Sequence, residues 1–390
     1  MNDFEFCSPT DFVFGKGVES RAGALCAAQG ARRVLVVYGG GSAVRSGLLG
    51  RVESSLEAAG LVWDAIGGVQ PNPMDDKVYE GIRQARETGT DFVLAVGGGS
   101  VIDTAKAIAV GVPYVGDFWD FFAGKAVPEV ALPVGVVLTI PAAGSEGSGN
   151  SVITKGDGLR KLSLRTDRLL RPVFALMNPE VTYTLPAYQT ACGVVDMVVH
   201  ILERYFSPSS GTEVTDRLCE GLLAAITALG PKVLGAPCDY DLRANLMWAG
   251  TLAHNGLCGT GRTEDWASHF MEHEVSALYG VAHGAGLAVI VPAWMAYVSR
   301  QKPERAAQMA VRVFGFDPAM PMEAAARYGV EQLKLFFLRM GMPVSFRQMG
   351  VEHPDVDLLV RKLHEDKGSA IGGYVRLTAD DTRAIYELAR

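Results

Sequence analysis

Phe92-Val-Leu-Ala-Val-Gly-Gly-Gly-Ser-Val-Ile-Asp-Thr-Ala-Lys106 is the stretch whose reading decides the fold. Five apolar residues without polar alternation read as a strand buried on both faces. Gly97-Gly-Gly-Ser100 follows, and the residues after it predict a helix over 101–110. A glycine-rich turn between strand and helix lets backbone N–H groups approach a phosphate, and the helix N-terminus favours its negative charge. Asp103 suits the positive end of that helix; Lys106 suits it only by answering a phosphate or pairing with Asp103. The plainer reading of both is a solvated helix face.

The same punctuation recurs upstream. Arg33-Val-Leu-Val-Val-Tyr38 reads as a strand, Gly39-Gly-Gly-Ser42 as its turn, and 48–59 as a helix. Strands at 61–66 and 133–140 and a helix at 74–88 complete the pattern, with Pro71-Asn-Pro73 as a turn. Continuous apolar strands separated by helices imply a parallel sheet covered on both faces. Neither glycine turn is a full G-x-G-x-x-G, so each alone is weak and a tight strand–helix turn is the bland alternative. Beyond Asn178-Pro179 the pattern becomes helical: 186–205, 213–229, 240–257, 265–278 and 284–298 read as helices. The expected division is an α/β dinucleotide-binding domain over 1–180 and an all-helical metal-binding and catalytic domain over 181–390.

Composition fits a globular protein with two cores: 390 residues, 48% hydrophobic and 20% charged. A net charge of −7 offers no basic stripe for nucleic acid. No uninterrupted apolar run reaches the ~18 residues that span a bilayer, so no membrane association is expected. Six scattered cysteines without C-x-x-C fit reduced thiols in the cytoplasm.

In the second half, Gly193-Val-Val-Asp-Met-Val-Val-His200 puts Asp196 and His200 at i,i+4 on one helix face. His269 and His273 repeat that spacing, and His283 follows a short turn. A lone histidine on an apolar helix is more often a hydrogen-bonded core residue than a ligand. An unpaired buried aspartate is costly, however, and a divalent metal relieves the cost. Three imidazoles and one carboxylate suit Fe2+ or Zn2+ with room for a substrate oxygen. His254, His353 and His364 lack such context and read as structural or surface residues. Phe118, Trp119, Phe121, Phe122 and Trp266 could line an apolar pocket, but such runs are more often core.

Tyr38-Gly-Gly-Gly-Ser42, Ala95-Val-Gly-Gly-Gly-Ser-Val-Ile-Asp103, Gly193–His200 and Asp265-Trp-Ala-Ser-His269 with Ala282-His283-Gly284 occur in this order. Together they make the chain resemble the iron-dependent alcohol dehydrogenases throughout its length, nearest the branch of butanol dehydrogenases and NADPH-dependent aldehyde reductases. The resemblance implies a dehydroquinate synthase-like fold, with a Rossmann-type domain, a helical metal domain and the active site in the cleft between. It implies Asp196, His200, His269 and His283 as metal ligands, and His273 as a non-ligand near the substrate. It assigns the pyrophosphate to Gly98, Gly99 and Ser100, and the nicotinamide side to Thr139 and Ser145. Lys161 matches a lysine that the family places near the cofactor; the bland alternative is an exposed base. Gly39, Gly40, Gly41, Ser42, Gly97 and Asp103 complete the expected cofactor contacts. Ala143 departs from the pattern, since a threonine is usual there. The resemblance also implies a homodimer acting on a small alcohol or aldehyde.

A carboxylate after the strand binds the adenosine ribose 2′-OH and repels a 2′-phosphate. NAD-preferring relatives carry an aspartate where Gly39 stands, and Arg45 adds positive charge nearby, so NADP(H) is expected over NAD(H). The expected reaction is reversible hydride transfer between nicotinamide and a primary alcohol or aldehyde. The rivals are a dehydroquinate synthase-like lyase of the same fold and a non-catalytic nucleotide- and metal-binding protein.

Overall fold

The computed structural model describes all 390 residues. They form two compact units. One comprises Cys7–Leu185 and Cys238–Thr251; the other comprises Met1–Phe6, Pro186–Pro237 and Leu252–Arg390. The division expected at 180/181 thus falls at 185/186. Two segments also change sides: 1–6 go with the helices and 238–251 with the sheet.

The first unit holds eight strands: β1 (Asp11–Phe14), β2 (Arg33–Gly39), β3 (Val62–Val69), β4 (Phe92–Gly97), β5 (Val134–Leu138), β6 (Asn150–Lys155), β7 (Arg160–Arg165) and β8 (Phe174–Met177). Six form one sheet in the order β1-β8-β5-β4-β2-β3, every pair parallel. The remaining two, β6 and β7, form an antiparallel hairpin. Every residue of β4, β5 and β8 is buried, as a strand covered on both faces requires, whereas β1 and β3 at the edges are partly exposed. Alternation divides β2 and β4 between two cores. Leu35, Val37, Val93 and Ala95 join Ile102 and Ile108 on one face. Val34, Val36, Leu94 and Val96 join Val52 and Leu56 on the other.

The chain leaves β2 toward β3 on one side and leaves β4 toward β5 on the opposite side. The order therefore reverses between β2 and β4, where an open parallel sheet has its ligand crevice beyond the carboxyl ends of the strands. Both glycine turns stand at that crevice. The helices are bounded locally: Asp75–Thr88 begins with two acids and ends at Gly89, whose φ is 73°.

The second unit is helical. Ala187–Tyr205 is buried on all sides from Thr190 onward, and His283–Val298 is nearly so. Helices Glu213–Gly235 and Ala267–Tyr279 lie between them in the chain. Glu213–Gly235 is long and apolar enough on average to cross a membrane, although charged residues interrupt its apolar run. Its Asp216 and Glu220 belong to a buried polar network. Asp216 accepts from Arg262 at 2.6 Å and Arg305 at 2.8 Å, and Glu220 accepts from the Tyr205 hydroxyl at 2.8 Å.

Candidate functional site

Helix Ala187–Tyr205 carries Asp196 and His200 one turn apart, 4% and 5% exposed. Helix Ala267–Tyr279 brings His269 and His273 on the same spacing, and His283 opens the next helix. Asp196 Oδ1 is the common vertex: it lies 3.4 Å from His200 Nδ1, 3.7 Å from His283 Nε2 and 3.9 Å from His269 Nε2. Ligand atoms around a tetrahedral zinc-type centre stand ~3.4 Å apart, so these separations leave space for one ion and little else. His200 Nδ1 and His269 Nε2 are buried and make no hydrogen bond. Burial and then the neighbouring His254 and His269 hold the His200 imidazole well below its ordinary pKa, in the neutral form a metal requires. The donor set, the spacing and the orphaned nitrogens together fit a divalent cation.

His273 is also buried, its ring 6.4 Å from that of His269 and 5.7 Å from that of His283. Its ligating nitrogen, that of His283 and a Glu272 oxygen fall within 4.8 Å of one another. The sequence reading left His254 aside, yet its ring meets His200 edge-on at 4.0 Å. It arrives from helix Tyr240–His254 and shares no motif spacing with the ligands, so no local signal marked it. Trp266 walls the cluster, 5.1 Å from the His269 ring, with the Arg204 guanidinium 4.9 Å over its own ring. Phe118, Trp119, Phe121 and Phe122 are core residues of the sheet unit.

Two glutamates escaped the sequence reading. Glu203 Oε1 takes His269 Nδ1 at 2.7 Å, and Glu272 Oε2 takes His283 Nδ1. A glutamate in a helix reads as a solvated face. The available signal was that Glu203 continues the Asp196–His200 face at i+7.

In the sheet unit, Gly97, Gly98 and Gly99 lead into helix Gly99–Gly111. A Cβ on Gly97 would stand 2.5 Å from Val101, one on Gly98 3.0 Å from Ile140, and one on Gly99 2.9 Å from Ala143. The backbone there comes closer to its surroundings than side chains allow. The segment after β5 passes over this turn, with the Thr139 N–H donating to the Gly97 carbonyl at 3.0 Å. Asp103, expected among the cofactor contacts, accepts from Ser145 Oγ at 2.7 Å and from the Val152 N–H at 3.0 Å. Lys106 is fully buried. Its Nζ donates to Ser145 O, Ser145 Oγ, Ser148 O and Asn150 O at 2.6–2.9 Å. Burial pushes its pKa down to about 8. Neither residue is the solvated helix face that the sequence allowed; together they brace the segment 145–152. Lys161 is likewise no exposed base: it is 4% exposed and donates to Asn72 Oδ1 at 2.9 Å.

The upstream turn is looser. A Cβ on Gly39 meets nothing nearer than 3.5 Å and one on Gly40 nothing within 4 Å. Gly41 has φ +107° and caps the four-residue helix Ser42–Arg45, and Arg45 Nη1 lies 3.1 Å from its Cβ position.

Comparison with known proteins extends this geometry over the whole chain. Residues 9–179 match the family model of the iron-containing alcohol dehydrogenases, and residues 190–389 match that of the C-terminal part of the Fe-containing alcohol dehydrogenase family. The chain is 38% identical to the probable NADH-dependent butanol dehydrogenase 1 of Bacillus subtilis, over 99% of each chain. It is 36% identical to the NADPH-dependent aldehyde reductase YqhD of Escherichia coli, over 100% of each. Its fold matches the crystal structure of NADH-dependent butanol dehydrogenase A from Thermotoga maritima with a TM-score of 0.96 and 40% identity, covering 100% of this chain and 99% of that one. A chain matched from strand β1 to its last helix, with three histidines gathered about one aspartate oxygen, belongs to the iron-containing alcohol dehydrogenase family and is an oxidoreductase that uses a divalent metal and a nicotinamide cofactor.

Proposed function

We propose that this chain is an NADP(H)-linked alcohol dehydrogenase and aldehyde reductase. It interconverts primary alcohols and aldehydes at a divalent cation, Fe2+ or Zn2+, held by Asp196, His200, His269 and His283. The observation that carries the cofactor preference is the upstream turn. No carboxylate stands at Gly39 to repel a 2′-phosphate, and the Arg45 guanidinium lies over Gly41. The names of relatives divide on this point, NADH for the butanol dehydrogenases and NADPH for the aldehyde reductase.

When bound, the cation supplies Lewis acidity toward a substrate oxygen and the nicotinamide supplies or receives the hydride. The chain's own residues bind and orient. Backbone N–H groups of Gly98, Gly99 and Ser100 take the pyrophosphate, while Gly97, Gly40 and Ser42 shape the two turns around the dinucleotide. Thr139 and Ser145 stand on the nicotinamide side, and the brace from Asp103 and Lys106 keeps that segment in place. Buried Lys161, oriented by Asn72, contacts the cofactor. His273 moves a proton at a ring nitrogen beside the ligand set. The working form is a cytoplasmic homodimer. A lyase of the same fold needs free basic groups for an acidic substrate. Three arginines of the helical unit are already paired: Arg204 with Glu264, Arg262 with Asp216 and Arg217 with Glu213.

The test follows NADPH and NADH oxidation at 340 nm with short aldehydes, on protein stripped of metal and reloaded with Fe2+ or Zn2+. Turnover appears only after reloading and kcat/KM is higher with NADPH. A clear preference for NADH overturns the cofactor assignment. His273→Ala slows turnover with metal content unchanged; loss of metal in that variant overturns its role as a proton carrier.

A further inference from the structure

Each of two metal-facing imidazoles is held from behind by a buried glutamate, and each glutamate sits on a helix earlier in the chain than its histidine. Glu203, 1% exposed, lies on Ala187–Tyr205 and holds His269 of helix Ala267–Tyr279 at 2.7 Å. Glu272, fully buried, lies on Ala267–Tyr279 and holds His283 of the helix after that. In both pairs the glutamate takes Nδ1, which leaves Nε2 facing Asp196.

We propose that Glu203 and Glu272 are positioning residues of the metal site: acting through His269 and His283, they fix the Nδ1–H tautomer and set how tightly the site holds a divalent cation. The proposal rests on the ligand set given under the proposed function. An imidazole whose Nδ1–H is donated to a carboxylate is fixed in rotation and presents a more basic Nε2 lone pair, and removing such an outer partner costs about 10–100-fold in metal affinity. Glu203 does more than hold the ring. The same Oε1 accepts from Ser268 Oγ at 2.6 Å and from the His269 N–H at 3.0 Å, and Oε2 accepts from the Trp266 N–H at 2.7 Å. Trp266 has φ +68°, a conformation rare for a bulky residue, and this bond helps hold it there. One carboxylate therefore sets the start of the helix, the backbone of its first ligand and the orientation of that ligand's ring. Around Glu272 the chain after His283 closes tightly: a Cβ on Gly286 would stand 2.5 Å from Glu272 Oε1 and 2.9 Å from its Cγ, so a larger residue there would push the Glu272 side chain aside. The helices bearing Asp196 and His269 thus each carry the brace for a histidine on a later helix of the site.

The rival interpretation is that both glutamates serve packing alone. Glu203→Gln and Glu272→Gln separate the two, because each keeps the shape and removes the charge. For these variants, His269→Ala and the unaltered protein, metal-free samples are titrated with Zn2+ against a chromophoric chelator. Their Co2+ forms are compared by visible absorption, and the metal-free forms by thermal melting. Both glutamine variants bind Zn2+ about 10–100-fold more weakly and shift the Co2+ spectrum. Unchanged Zn2+ affinity and Co2+ spectrum in both, whatever their melting temperatures, overturns the proposal. His269→Ala abolishes tight binding; if it retains the affinity of the unaltered protein, the ligand set itself is wrong. If Glu203→Gln does not fold, Glu272→Gln decides alone.

Discussion

Gly39–Ser42 and Gly97–Ser100 are the same four letters after adjacent parallel strands, yet they answer different constraints. At the second turn all three glycines are demanded by neighbours within 2.5–3.0 Å of the missing Cβ. A 13-residue helix stacks its dipole behind that turn, and Lys106 and Asp103 brace the segment that passes over it. At the first turn only Gly41 is demanded, by its φ of +107°, while Gly39 and Gly40 have room for a side chain. A glycine required by packing marks a position that cannot vary without loss of structure. A glycine with open space around it marks a position where specificity can be changed.

The comparison breaks most severely at the brace. Lys106→Met removes a buried charge and leaves the carbonyls of Ser145, Ser148 and Asn150 without their donor. Losing one side of a buried charged network costs about 3–5 kcal/mol, read as a lowered midpoint in urea unfolding. A variant as stable as the parent would mean the second turn is no better anchored than the first.

A smaller effect comes from inserting one methyl group in each turn. Gly97→Ala forces Val101 aside and costs about 1–3 kcal/mol, whereas Gly40→Ala stays within about 0.5 kcal/mol. Equal costs by calorimetry would erase the distinction. The smallest effect on stability accompanies the largest on selectivity. Gly39→Asp finds only ordinary contacts for its Cβ, melts within a few degrees of the parent, and moves preference from NADPH toward NADH. Parallel kcat/KM measurements with the two cofactors check this; an unmoved ratio would mean the ribose lies away from Gly39.

This contrast also explains what could be read before folding. Strands β2, β4 and β5 were legible because each is a largely apolar run, and glycine or proline punctuates them. Strands β1 and β8 have four residues each, and β6 has only two apolar residues between polar ones, so their pairing comes from the sheet and hairpin rather than from local pattern. In the helical unit Asp196, His200, His269 and His273 stood out through their spacing on helical faces, and the structure brings them into one cluster with His283. Glu203 and Glu272 did not stand out, because the same residue type on a helix is usually solvated and only the packing of three helices buries these two. His254 enters from a helix with no shared period. Lys106 looked misplaced at a helix start because its acceptors lie 39 to 44 residues further along the chain.

The segment 238–251 has a consequence for the order of events on the ribosome. All eight strands lie within the first 185 residues, but the sheet unit also needs what this later segment brings. Thr251 donates to buried Glu146 at 2.6 Å, Trp248 packs edge-on against Phe12 at 5.7 Å, and Met247 enters the core beside the sheet. Domains ordinarily complete themselves in the order in which they are made. Here the first half emerges with its sheet strands in hand and a buried carboxylate lacking its donor, and it is finished only after the helix bearing Asp196 and His200 has been translated. The order of synthesis and the order of completion therefore differ, and neither half of the chain, cut at 185, is a whole folding unit.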